Sequence, residues 1–161
     1  MEEEKTARAK TSQNEGIGLW FLRDQPEESA PYFDKKQFDF FGYTKKYNGL
    51  GIILQPMGDE NYDIIAGALN SGTEEINTML FTKRFCKLKM FNDDKIPIKV
   101  ALVAGGLMVY TKEDFSDKYN LCFGIPEAGS LQEFYFSISA STGKTNVFTY
   151  DITELKIFSD I

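Results

Sequence analysis

Short runs with a two-residue period dominate this chain, and the run around Gly105-Gly106 is the most constraining of them. Ile98, Val100 and Leu102 lead into the glycine pair, and Leu107, Val109 and Thr111 lead out. A period of two places alternate side chains on one face of an extended strand. A two-residue connection of this kind needs positive φ, which glycine supplies, so the segment predicts a tight β-hairpin. A chain built on such hairpins must pair its remaining strands and cover the apolar faces they create.

Other segments repeat the pattern. Ile17 to Leu22 is apolar on both alternating faces, as expected of a central strand covered from two sides. Tyr47-Asn48-Gly49 turns the chain into Leu50–Leu54. Tyr62 to Leu69 sets Ile64, Ala66 and Ala68 against Ile65, Gly67 and Leu69, and the turn signal Asn70-Ser71-Gly72 closes it. In Phe85–Phe91 the set Cys86, Leu88 and Met90 is expected to face inwards. Phe134 to Ser141 alternates again, and Ile152 to Phe158 is expected to supply a last strand.

That makes about seven strands. The stretch from Arg23 to Lys46 is rich in Pro, Asp, Glu and Lys and reads as a long surface loop. A short helix is expected over Glu74–Phe81. Regular strands without helical crossovers predict an all-β, antiparallel sandwich. At 161 residues the chain has the size of one domain, with Met1–Asn14 a polar N-terminal segment and residues 15–161 the domain proper.

Composition narrows the chemistry. The absence of histidine removes His-based triads, His-ligated zinc and the usual neutral-pH proton shuttle. A net charge of −6 argues against a phosphate-tracking surface, so nucleic acid is not an expected partner. The two cysteines, Cys86 and Cys122, are too far apart for a redox pair and too few for a zinc cluster. They form either one disulfide or two inert core thiols. Met1–Asn14 lacks the apolar stretch of a signal peptide, and no run reaches the length of a membrane span. Membrane association is therefore expected only through segments absent from this chain.

Five landmarks fall in order. They are Glu15-Gly16-Ile17-Gly18-Leu19-Trp20-Phe21, Phe41 to Ile52, Asn70-Ser71-Gly72, Phe134 to Gly143, and Asp151-Ile152 to Phe158. Together they resemble the L-type, legume-like lectin domain of intracellular mannose-binding cargo receptors. The resemblance implies a concanavalin-like jelly roll that lacks the family's N-terminal strands, in the lumen of the ER and Golgi. It also implies that Cys86 and Cys122 occupy the family's disulfide positions, and that the chain is not an enzyme.

The same resemblance assigns a site. Glu15 stands where the family carries an Asp that accepts hydrogen bonds from sugar hydroxyls. Asp59, Gly143, Lys144 and Thr145 fall in the other sugar-binding positions, the last three through main-chain amides. Gln55, Met57 and Asp59 align with the family's calcium loop. Ca²⁺ requires several converging oxygens, and the loss of an acid at Gln55 together with the missing His implies weakened or lost calcium binding. The implied partners are high-mannose glycans or glycoprotein cargo.

The alternative is a protein-interaction or structural module that keeps the sandwich without sugar binding. A glycoside hydrolase on a similar sandwich would need two carboxylates about 5 to 10 Å apart across a cleft. Apart from Asp63, the inward strand positions are apolar.

Overall fold

The computed structural model describes residues 14–26, 39–56, 62–88, 97–103, 106–112, 117–130, 133–141, 152 and 154–156. Among these are eight strands: β1 (Gly16–Leu22), β2 (Asn48–Pro56), β3 (Asp63–Ser71), β4 (Phe85–Leu88), β5 (Ile98–Val103), β6 (Gly106–Lys112), β7 (Tyr119–Ile125) and β8 (Tyr135–Ser141). They form a five-stranded sheet in the order β4-β3-β2-β1-β8 and a three-stranded sheet in the order β5-β6-β7. Every pairing is antiparallel.

The two-sided strands occupy the middle of the larger sheet. One face of β1, β2 and β3 presents Trp20, Leu22, Ile53, Ala66 and Ala68 to Phe40, Phe41, Tyr43, Tyr47, Ile76 and Phe81. The other face presents Leu50, Ile52 and Ile65 to Leu107, Val109, Phe123 and Ile125 of the smaller sheet. Each central strand is therefore buried on both sides. This is why its sequence reads as a continuous apolar run and not as an alternation.

The aromatic cap on the first face is built by residues 39–47, an irregular stretch held by the Phe40–Tyr43 bridge. Trp20 lies 5.2 Å from the Tyr43 ring and 5.0 Å from the Tyr47 ring, between centroids. The Tyr47 hydroxyl donates to the Ala68 carbonyl at 2.9 Å, so its polar tip is satisfied inside the core. The second face needs close approach between the sheets. Gly67 allows it, since a Cβ there would stand 2.8 Å from the Phe123 ring.

Cys86 of β4 and Cys122 of β7 form a disulfide with their Cα atoms 5.5 Å apart, joining the two sheets along one edge. Of the two alternatives left open by the sequence, the bridge is the one present. Leu88 is buried and Cys86 partly buried while Phe85 and Lys87 are exposed, as the alternation requires. Met90 lies outside the described residues.

Four expectations change. The segment Tyr119–Ile125 is a strand, β7, although its exposed Tyr119, Asn120 and Leu121 obscure the alternation. A bulge between Val109 and Tyr110 shifts its register against β6. The last expected strand does not form where it is described: Ile152 and residues 154–156 are irregular and exposed. Among the described residues no strand pairs with them, and apolar residues alone do not impose extended pairing. At the hairpin, Val103 pairs with Gly106, so Gly106 begins β6 instead of sitting in the turn. Its φ of 127° is of the kind the sequence required. The helix expected over Glu74–Phe81 is a single 3-10 turn, Thr78–Thr82, whose start is capped by the Asn77 side chain. Among the described residues no helix is long and apolar enough to cross a membrane.

Candidate functional site

Strand register gathers distant sequence positions at one end of the five-stranded sheet. Gly16 pairs with Ser141, Ile17 pairs with Leu54, and Pro56 pairs with Asp63. The residue before β1, the end of β2, the start of β3 and the end of β8 therefore lie side by side, with neighbouring strands about 5 Å apart. Glu15 sits at this end, and Gln55 is the penultimate residue of β2. Met57 and Asp59 follow β2, and Gly143, Lys144 and Thr145 follow β8. All five lie outside the described residues, but the strands that lead to them converge.

The Glu15 environment is unusual in two ways. Its Oε2 is buried and has no hydrogen-bond partner among the described residues. Burial pushes the Glu15 carboxyl above its ordinary range, because the charged form has lost water without gaining donors. The backbone around it is also strained. Asn14 and Phe41 both adopt positive φ, at 63° and 51°, and the Phe41 amide donates to the Asn14 carbonyl at 2.9 Å. A bulky side chain in the left-handed region costs on the order of 1 kcal/mol and persists only where surrounding contacts impose it.

Those contacts include a relay across three elements. Trp20 Nε1 donates to Ser139 Oγ at 2.7 Å, and Ser139 Oγ donates to the Phe41 carbonyl at 2.6 Å. The indole thus ties β1, β8 and the 39–47 stretch together beside Glu15. Nothing in the alternation of β8 distinguishes Ser139 from Ser137 or Ser141, so its role is invisible without the fold.

Asn70 plays a similar part at the opposite end of the sheet. Its Nδ2 donates to the carbonyls of Tyr47 and Glu74, each at 2.9 Å, and lies 3.3 Å from that of Lys45. Its place at the head of the Asn70-Ser71-Gly72 turn is the one sequence signal that marks it.

Of the three calcium-loop positions only Gln55 is described, and its side chain brings a neutral amide oxygen; Met57 and Asp59 lie outside the described residues, among which no three acidic, cysteine or histidine side chains come together.

The chain resembles several solved lectin domains. The VIP36 exoplasmic/lumenal domain, solved with Ca²⁺ and Man3GlcNAc bound, is 23% identical with a TM-score of 0.57, over 83% of this chain and 57% of that one. Its metal-free form is 22% identical with the same TM-score of 0.57, over 81% and 55%. The Emp47p carbohydrate recognition domain is 18% identical with a TM-score of 0.50, over 82% and 57%. At these identities the likeness shows the fold alone, and the chain spans little more than half the length of those domains. No curated protein matches the sequence. The model of the legume-like lectin family matches residues 4–160, nearly the whole chain. This chain therefore belongs to the legume-like lectin family.

Proposed function

We propose that this domain binds high-mannose glycans of glycoproteins at the Glu15 end of the five-stranded sheet, with a weakened calcium requirement, in the lumen of the early secretory pathway. The observation that carries the reading is the Oε2 of Glu15, buried with no hydrogen-bond partner among the described residues. A carboxylate oxygen withdrawn from water without donors is destabilised until a ligand supplies them. Vicinal sugar hydroxyls are neutral donors that reach such an oxygen by charge-assisted hydrogen bonds. Main-chain amides at Gly143, Lys144 and Thr145 would add further contacts. The VIP36 domain has been solved with Ca²⁺ and mannose bound. The Cys86–Cys122 disulfide fits an oxidising compartment.

Calorimetric titration with mannose oligosaccharides tests the proposal. Heat is expected at millimolar ligand, with little change on adding EDTA, and Glu15→Gln is expected to weaken binding at least tenfold. No heat from the wild-type chain at millimolar ligand would reject sugar binding.

A second reading, a protein-interaction module, is favoured by Gln55 and by the absence of histidine. It predicts a protein complex that co-purifies from cells and resists both chelator and mannose. Release of that complex by free mannose would count against it.

A further inference from the structure

Trp20 is set into the five-stranded sheet in a way that only small neighbours permit. Gly18 lies two residues before it, on the same face, and pairs with Ser139 of β8. A Cβ at Gly18 would overlap the indole, and one at Gly51, the partner of Trp20 on β2, would stand 2.6 Å from it. The indole therefore covers both glycines, and its Nε1 is brought to Ser139 Oγ at 2.7 Å.

From Ser139 the contacts run outward to the end of the sheet. Ser139 Oγ donates to the Phe41 carbonyl at 2.6 Å, and the Phe41 amide donates to the Asn14 carbonyl at 2.9 Å. Gly42 seats the same stretch against β8: its φ is 76°, and a Cβ there would overlap the Ala140 carbonyl.

The last of these bonds bears on Glu15. The Asn14 carbonyl and the Glu15 nitrogen belong to one planar peptide unit, so holding the carbonyl holds the plane from which Glu15 departs. On its other side Gly16 is paired with Ser141 of β8. The Glu15 backbone is thus fixed from both ends, and every donor and acceptor in the series belongs to the chain itself.

We propose that Trp20, Ser139, Phe41 and Asn14 form a lock that sets the direction of the Glu15 side chain, which makes Ser139 a positioning residue of the sugar site. The proposal rests on the reading of Glu15 as a sugar ligand. The positive φ of Asn14 and Phe41 is the conformation the lock imposes. One hydroxyl serves both sides of it, accepting from the indole and donating to the carbonyl. A carboxylate already held in its binding direction loses less conformational freedom when a ligand arrives, which raises affinity without adding a contact.

Three variants test this by calorimetric titration with mannose oligosaccharides and by backbone chemical shifts. Ser139→Ala is expected to weaken sugar binding about fivefold and to remove the left-handed shift signature of Asn14 and Phe41. Ser139→Thr keeps the hydroxyl and suits a strand, so it is expected to hold both at the wild-type level. Val109→Ala loosens the packing between the sheets, away from the lock, and is expected to leave both unchanged despite its lower stability. Wild-type affinity in Ser139→Ala, left-handed shifts that persist there, or an equal loss of affinity in Val109→Ala overturns the proposal. A wild-type chain that binds no sugar overturns the sugar reading and the proposal together, and is told apart because the failure then precedes any substitution.

Discussion

The two margins of the five-stranded sheet are solved in opposite ways. At β4 the margin is closed: Cys86 is bonded to β7, Leu88 is buried, and Arg84 forms a two-pronged ion pair with Glu127, both contacts at 2.7 Å. At β8 no further strand pairs among the described residues, and the strand is held by β1 and by the Trp20–Ser139–Phe41 relay. Close to the closed margin the polar groups answer one another; the Glu127 carboxyl is held below its ordinary range by its hydrogen bonds to Arg84. Towards β8 lie the Glu15 oxygen that has no hydrogen-bond partner among the described residues, the strained Phe41 backbone and the exposed Ile138. The difference teaches that covalent and ionic fastening is concentrated on the β4 side, while backbone strain and a buried carboxylate oxygen with no partner among the described residues lie on the other.

The largest effect should come from opening the closed margin. Replacing Cys86 and Cys122 together by Ser removes a link spanning 36 residues, and loop-closure entropy puts the loss at about 4 kcal/mol. Denaturant unfolding reads this directly. A loss well under 1 kcal/mol would mean that the packing of Phe123 and Ile125 holds the sheets without the bridge.

A smaller effect is expected from loosening the β8 side. Ser139→Ala removes the hydroxyl that serves both Trp20 Nε1 and the Phe41 carbonyl, leaving a buried indole donor unpaired. The expected loss is about 1 to 2 kcal/mol, with a shift in tryptophan fluorescence from the single Trp20. Sugar affinity should fall too, since Phe41 is hydrogen-bonded to Asn14, next to Glu15. Stability lost with affinity unchanged would separate the relay from the site.

The smallest effect has the opposite sign. The Glu15 carboxyl is raised by burial, so the folded protein holds its proton more tightly than the unfolded chain. The penalty of the ionised form is therefore fully present above the folded pKa and disappears as pH falls below the unfolded value, near 4.5. Glu15→Gln should raise the melting temperature slightly at pH 7, with the gain vanishing towards pH 4, while weakening sugar binding. A variant less stable than wild type at pH 7 would mean that the carboxylate has a structural partner.

Much of the fold is legible from the residues in order. Ile17–Leu22 and Tyr62–Leu69 announce strands covered on both faces, and both are central. The hairpin flanking Gly106 is equally plain, because a turn of that length leaves few alternatives. β7 is not legible: it is an edge strand whose first three residues face solvent, so its pattern weakens where the other strands are clearest. Ile152 and Leu155 err the other way, since apolar residues can suggest a strand while pairing depends on a neighbour that local sequence does not supply.

The site divides along the same line. Family likeness picks out Glu15 by its place before Gly16, and the landmarks imply that loops after positions 55 and 141 join it. The sequence by itself determined the two-residue period, the residue types at that end of the sheet and the cysteine pair. Only the tertiary structure decided that Glu15 Oε2 is buried with no partner among the described residues, that Ser139 links Trp20 to Phe41, and that β8 lies beside β1. Periodicity is a local property fixed by backbone geometry, whereas burial and hydrogen bonding depend on strands brought together across more than a hundred residues.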